Sequence, residues 1–181
     1  AKSPDLRRRA VWALSRIETE TARAALRSAL DDPSASVRLA AVRSVGTLRD
    51  AGAHAKLQQL VLNDEPPIRR EAATALGRVG DPSAIPVLLE ALSNPIDRLL
   101  EHAIIYALIE LNDPQATVAG LTADSTQIRR GALIRCSTPV TPRCNKPPSR
   151  SSPTTPAGPL KSWGCWERGS RRVTNWMNVV R

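Results

Sequence analysis

Apolar residues return along this chain in two superimposed rhythms. In the stretch from 68 to 79, Ile68, Ala72, Ala75, Leu76 and Val79 fall at i, i+4, i+7, i+8 and i+11, the spacing of one helix face. After Gly80-Asp81-Pro82 a second set, Ile85, Leu88, Leu89 and Leu92, falls at i, i+3, i+4 and i+7. The unit is therefore a pair of amphipathic helices joined by a short turn. The longer rhythm repeats that unit. Leu6-Arg-Arg-Arg-Ala-Val-Trp-Ala-Leu14 aligns with Val37-Arg-Leu-Ala-Ala-Val-Arg-Ser-Val45, with Ile68-Arg-Arg-Glu-Ala-Ala-Thr-Ala-Leu76 and with Leu100-Glu-His-Ala-Ile-Ile-Tyr-Ala-Leu108. The starts at 6, 37, 68 and 100 are steps of 31, 31 and 32, and a fifth copy opens at Ile128-Arg129-Arg130 before breaking off. One helix pair cannot bury both of its apolar faces, but stacked pairs can, and about three are needed.

The period predicts an all-α fold: a right-handed α-solenoid of stacked antiparallel helix pairs with an irregular C-terminal tail. The array is expected over residues 1–134, with repeats at about 4–31, 33–64, 65–94 and 95–124 and a partial fifth at 125–134. Junction chemistry agrees. Asp32-Pro33, Asp81-Pro82, Asn94-Pro95 and Asp113-Pro114 each place a capping oxygen before a proline, which at the first helical position loses no hydrogen bond it needed. Gly80 suits the left-handed position that often ends a helix. Ala10, Ala41, Ala72 and Ala75 permit close helix approach, and the absence of Phe fits a thin, layered core.

These residues carry a resemblance. Asp32-Pro33-Ser34, Val37-Arg38, Ala75-Leu76-Gly77, Val79-Gly80-Asp81-Pro82, Ala84, Pro86, Leu88 and Ala91-Leu92 resemble the short HEAT-like repeats of bacterial proteins, the phycobilisome-lyase type, over roughly residues 4 to 134. The resemblance implies a fold shared by scaffolds, lyase-like chaperones and enzyme appendages. The stretch Leu100-Glu-His-Ala-Ile-Ile-Tyr-Ala-Leu-Ile-Glu110 is also similar to the repeat segment of very large bacterial proteins that join a dehydrogenase-like β-propeller, HEAT-like repeats and a c-type cytochrome domain. That second likeness implies a connector in an exported redox protein. The chain itself holds no Cys-x-x-Cys-His motif.

Composition changes the picture at one place. Residues 1–134 carry 17 Lys and Arg against 16 Asp and Glu, net +1, whereas residues 135–181 carry 9 against 1, net +8. All three cysteines (Cys136, Cys144, Cys165) lie beyond Ile134, as do Trp163, Trp166 and Trp176. Three readings stand: a disordered basic tail, a nucleic-acid-binding arm carried by Arg171-Arg172 and the tryptophans, or translation out of frame. The genetic code speaks for the third. Taking each codon's third base with the next codon's first two, Arg135–Cys136 gives Leu, Val or Met. Pro139–Val140 then allows Gly, Val140–Thr141 allows Asp and Thr141–Pro142 allows Pro. The outcome is in register with Leu76 and Gly80-Asp81-Pro82 at an offset of 60. Residues 135–181 are accordingly expected to be a disordered basic stretch read out of frame. The start at Ala1 rather than Met suggests a fragment of a larger protein. Cysteine spacings of 8 and 21 with no nearby histidine form no metal signature.

Within the array, Arg7, Arg38, Arg69 and Arg129 share one repeat position. They either present a basic ridge to an acidic partner or pair with acidic residues near the preceding turn, such as Asp31, Asp32, Asp64 and Glu65. Pairing is the expectation. The fourth copy departs from the rule with Glu101-His102, and Tyr106 lies one turn on, so His102 and Tyr106 share a helix face. Glu101, His102 and Tyr106 are the first candidates for an interaction site, because they break the repeat without an obvious packing gain. No phosphate loop, nucleophile motif, metal-ligand spacing or run of about 18 apolar residues is present. No catalytic residue, cofactor or membrane span is expected, and nucleic acid is disfavoured by the near-neutral array.

The function expected from the sequence is a non-catalytic scaffold that binds a protein partner or spaces neighbouring domains of the same polypeptide. The alternatives are the dehydrogenase–cytochrome connector and a phycobilin-lyase-like chaperone. The sequence leaves the compartment open between the cytoplasm and, for the connector, the periplasm. The incomplete fifth copy leads to the expectation that the apolar face of repeat four is poorly covered and frays first.

Overall fold

The computed structural model describes residues 3–93 and 96–138, and these are all-helical, with no strand among them. Nine α-helices follow in order among the described residues: α1 Pro4–Leu14, α2 Glu20–Ser28, α3 Ala35–Thr47, α4 His54–Asn63, α5 Pro66–Val79, α6 Ile85–Ala91, α7 Arg98–Leu111, α8 Pro114–Val118 and α9 Thr126–Ser137. Short 3-10 turns at Ala29–Asp31, Ala51–Ala53, Pro82–Ala84 and Ala119–Thr122 adjoin the even-numbered helices.

The two apolar sets in 68–92 become α5 and α6 with the facing read from their spacing. Ile68, Ala72, Ala75 and Leu76 are buried, as are Ile85, Leu88, Leu89 and Leu92. Helix ends follow local chemistry. Ser3 accepts from the Leu6 N–H at 3.4 Å, Thr19 from Ala22 at 3.3 Å, Asp97 from Leu100 at 2.6 Å and Asp113 from Ala116 at 3.0 Å. Gly80 closes α5 in the left-handed conformation (φ 83°) and donates to the Leu76 carbonyl. Asn112 does the same for α7 at φ 53°; its short polar side chain is among the few that tolerate that region.

Two junctions differ from expectation, and a third falls outside the described residues. Asp32-Pro33 does not start a helix: α3 begins at Ala35, while Asp32 Oδ1 accepts from the Ser34 N–H at 2.8 Å and forms a turn. The same carboxylate takes a two-bond fork from Arg7, and Asp81 forms the same turn with the Ser83 N–H. Asn94-Pro95 lies outside the described residues, and α7 instead starts after Asp97. Helix α9 runs to Ser137, three residues past the boundary expected at Ile134. The rest of the expected out-of-frame stretch, from 139 on, with Cys144, Cys165 and its three tryptophans, lies outside the described residues.

The odd-numbered helices pack in series, α1 on α3, α3 on α5, α5 on α7 and α7 on α9. Each even helix lies against the odd helix that follows it, and α4, α6 and α8 pack on one another in turn. Buried apolar residues form one cluster from Val11 to Ala132. The odd row is tight because small residues meet there. A Cβ on Gly46 would come within 2.8 Å of Ala75 Cβ, and one on Gly77 within 2.9 Å of Ala107 Cα.

Helix α9 lies where the sequence predicts the incomplete fifth copy. It packs against α7 and α8, and its Gly131 backbone approaches Leu92 so closely that a Cβ there would lie 2.5 Å from Leu92 Cδ1. Within repeat four, α7 buries Leu100, Ile104, Ala107, Leu108 and Leu111, and α9 covers part of its outer side. The least buried long helix is α1, which buries Val11 alone.

Candidate functional site

The shared arginine position lies in the first turns of the odd helices, where the row of stacked helices brings each side chain beside the turn leading into the next. Arg7 donates from Nε and Nη2 to the two carboxylate oxygens of Asp32 at 2.7 and 2.9 Å. Arg38 repeats the fork on Asp64 at 2.8 and 2.7 Å. Two parallel charge-assisted bonds are the strongest geometry available to this pair. For Arg7 and Arg38 the carboxylate thus comes from the turn that follows the arginine, not the preceding one. The preceding segment supplies backbone carbonyls: Arg38 Nη1 reaches Asp32 O at 3.0 Å, Arg69 Nε reaches Val61 O near the end of α4 at 3.0 Å, and Arg129 Nη1 reaches Ala123 O and Asp124 O, both at 2.7 Å.

Proton affinities follow this geometry. The hydrogen bond from Arg7 holds the Asp32 carboxyl below the ordinary carboxylate value, and the same bond to Asp32 raises Arg7 in return. Burial works against ionisation of Asp64, but the Arg38 fork and the Glu65 N–H offset it, and the net shift is downward. Asp81 is lowered chiefly by the Ser83 N–H. Other cross-links join neighbouring repeats: Arg27 with Asp50 at 3.0 Å, Arg43 with Glu71 at 3.1 Å and Lys56 with Asp31.

The Glu101, His102, Tyr106 group is divided by the fold. Glu101 occupies the arginine position of its repeat, is half-buried, and lies 3.5 Å from Arg130 Nη1 of α9. His102 and Tyr106 are exposed on the outer side of α7, Tyr106 at 49%. The second histidine, His54, is mostly buried, with Nδ1 3.9 Å from Asp81 Oδ2. Among the described residues, no group of three or more His, Cys, Asp or Glu side chains is placed to hold a metal ion. No described helix is long and apolar enough to cross a membrane.

Two features escaped the sequence reading. Arg135 is 2% exposed and donates to Leu108 O at 3.0 Å and Asn112 Oδ1 at 2.9 Å, placing a guanidinium at the C-terminal end of α7. Its repeat position is held by Ala13, Ser44, Ala75 and Ala107 in the earlier copies. The second feature is a cleft on the odd-helix row. Trp12, 48% exposed, stands between a hollow of about 440 Å³ that reaches Arg43, Glu71 and Arg78 and one of about 420 Å³ that reaches Arg8, Arg9 and Leu39. The signal was present in the alignment: Trp12, Arg43, Thr74 and Tyr106 share one repeat position, which points outward in every copy. A third hollow, about 360 Å³ and more apolar, lies between α6 and α8 beside Leu89, Ala116 and Ile128.

Known proteins share parts of this array. Deoxyhypusine hydroxylase of Drosophila melanogaster is 35% identical over 100 residues, which cover 54% of this chain and 33% of that protein. Bilin biosynthesis protein PecE of Mastigocladus laminosus is 44% identical over 50 residues, covering 28% of this chain and 19% of that protein. The chain thus matches a third or less of the length of these curated relatives. The family model of HEAT repeats matches residues 1–75 and again residues 62–136. With stacked helix pairs, a shared arginine position and two overlapping matches to that model, the chain belongs to the HEAT-repeat family.

Proposed function

We propose that this chain is a non-catalytic repeat scaffold that binds a protein partner along its odd-helix row. One observation carries the reading: the outward repeat position holds two large aromatic side chains, Trp12 and Tyr106, each about half exposed (48% and 49%), in a molecule otherwise poor in aromatics. Half-exposed tryptophan and tyrosine are the side chains that carry most binding energy at protein interfaces. The ladder arginines, by contrast, are engaged with neighbouring repeats, so they serve cohesion. Photocrosslinking tests this. Benzoylphenylalanine placed at 12 or 106 in the native host is expected to give protein adducts, whereas the same group at Gln59, on α4, gives none. Adducts from position 59 alone, or from none of the three, defeat the scaffold reading as stated.

The likeness to the bilin biosynthesis protein favours a second reading, a chaperone of an open-chain tetrapyrrole. Addition of a free bilin to the purified chain would then red-shift and sharpen its visible absorption; an unchanged spectrum removes this reading.

The expected loss of reading frame after Ile134 is likewise proposed. Burial of an arginine where four earlier copies hold Ala or Ser supports it, and resequencing the gene tests it: an uninterrupted frame through codon 135 defeats it.

A further inference from the structure

We propose that the cleft around Trp12, formed by α1, α3 and α5, is the docking site for an acidic peptide segment with an apolar side chain at its centre. This rests on the scaffold reading above and names the partner chemistry.

Charge is the first argument. The rim carries four guanidinium groups, Arg8, Arg9, Arg43 and Arg78, all exposed. Two are already matched: Arg8 to Asp5 at 2.9 Å and Arg43 to Glu71 at 3.1 Å. Arg9 and Arg78 make no ion pair among the described residues, and they stand on opposite sides of Trp12, one on α1 and one on α5. The complement is a ligand with a carboxylate near each end.

Shape is the second. Trp12 separates two hollows and offers its indole to both, with Leu39 extending the apolar floor on one side and the Ser15, Ser44 and Thr74 hydroxyls lining the other. An apolar side chain seated on the indole removes water from surface that the fold leaves exposed. Neighbouring packed helices lie about 9 Å apart, so the span from α1 to α5 is roughly 18 Å, or about six residues of extended chain at ~3.3 Å each. A short acidic segment therefore reaches both Arg9 and Arg78 while its middle covers Trp12.

A nucleic acid fits less well. Its affinity grows with the number of phosphates neutralised, and among the described residues this cleft offers two cations outside any ion pair, with the Glu71 carboxylate in its lining.

The test uses the whole chain and a fluorescein-labelled peptide of sequence Glu-Glu-Gly-Leu-Leu-Gly-Glu-Glu, read by anisotropy. Trp12→Ala and Arg78→Glu are expected each to weaken binding at least tenfold, with Arg129→Ala, which lies on the ladder, within twofold of the parent. Both test residues are exposed, and unchanged circular dichroism confirms that their variants fold. Parental affinity in both variants overturns the proposal, as does a thymidine oligonucleotide that binds more tightly than the peptide and with the same dependence on Trp12 and Arg78. Crosslinks from position 106 would leave the scaffold reading standing in either case, so the two fail separately.

Discussion

Arg38 and Asp64 show how much one residue pair does in a repeat of this size. The fork between them joins the second repeat to the turn before the third, with both side chains largely shielded from water. Arg38→Ala removes two charge-assisted bonds and leaves a shielded carboxylate behind, an expected cost of about 1.5–3 kcal/mol, visible as a lowered urea midpoint at pH 7. The pH dependence follows from the shift. Asp32 and Asp64 titrate below their ordinary value in the folded chain. Their contribution is therefore complete above the ordinary carboxylate value, near 3.8, and is lost as pH falls through the depressed folded values. Asp64→Asn is expected to be less stable than the parent at pH 7 and to lose less on going to pH 3; equal acid sensitivity in the two proteins counts against the pair. Arg135 makes the opposite case. It is buried with carbonyl and amide partners but no carboxylate among the described residues, and the attraction of a helix C-terminus is worth only about 0.3–1 kcal/mol. Arg135→Met keeps the stem and removes the charge, so thermal unfolding is expected to be unchanged or raised.

At the scale of elements, the helix pairs were legible in the sequence because burial alone dictates their spacing. Ile68 through Leu92 fall where the apolar period puts them, and Gly80 ends α5 as its freedom at positive φ requires. Less legible was whatever depends on a neighbouring repeat. Asp32 reads as a helix cap from its own sequence, but its carboxylate accepts from Ser34 in a turn and from Arg7, 25 positions away. Trp12 shares its repeat position with the polar Arg43 and Thr74, which marks it as outward-facing, but only the stacking of α3 and α5 beside it shows that it borders a cleft. Gly77 illustrates the same point in energy. Alanine there gains about 1 kcal/mol of helix propensity in isolation. In the array its Cβ would press on the Ala107 backbone at 2.9 Å, where nothing flexible can yield. Gly77→Ala is expected to lower stability by about 1–3 kcal/mol through separation of α5 from α7. A rise in Tm would show that the odd row is looser than described.

Across the whole array, each repeat touches its neighbours and little else, so protection should track how many neighbours a helix has. Helix α1 buries one residue, while α5 and α7 are packed on both sides. Amide hydrogen exchange is expected to be fastest in α1, slower in α9 and slowest in α5 and α7; equal rates in α1 and α5 would mean that the array opens as one unit. The two rows differ in a mechanical sense as well. The odd row is made of helices of 11 to 14 residues in backbone-close contact, whereas α6 and α8 have 7 and 5 residues. Such a body resembles a leaf spring laminated on one side. Tension applied along it would be borne by the odd row while the even row parts first, so bending is cheap in one direction and stiff in the other. A partner seated on the odd row would grip the part of the molecule that deforms least.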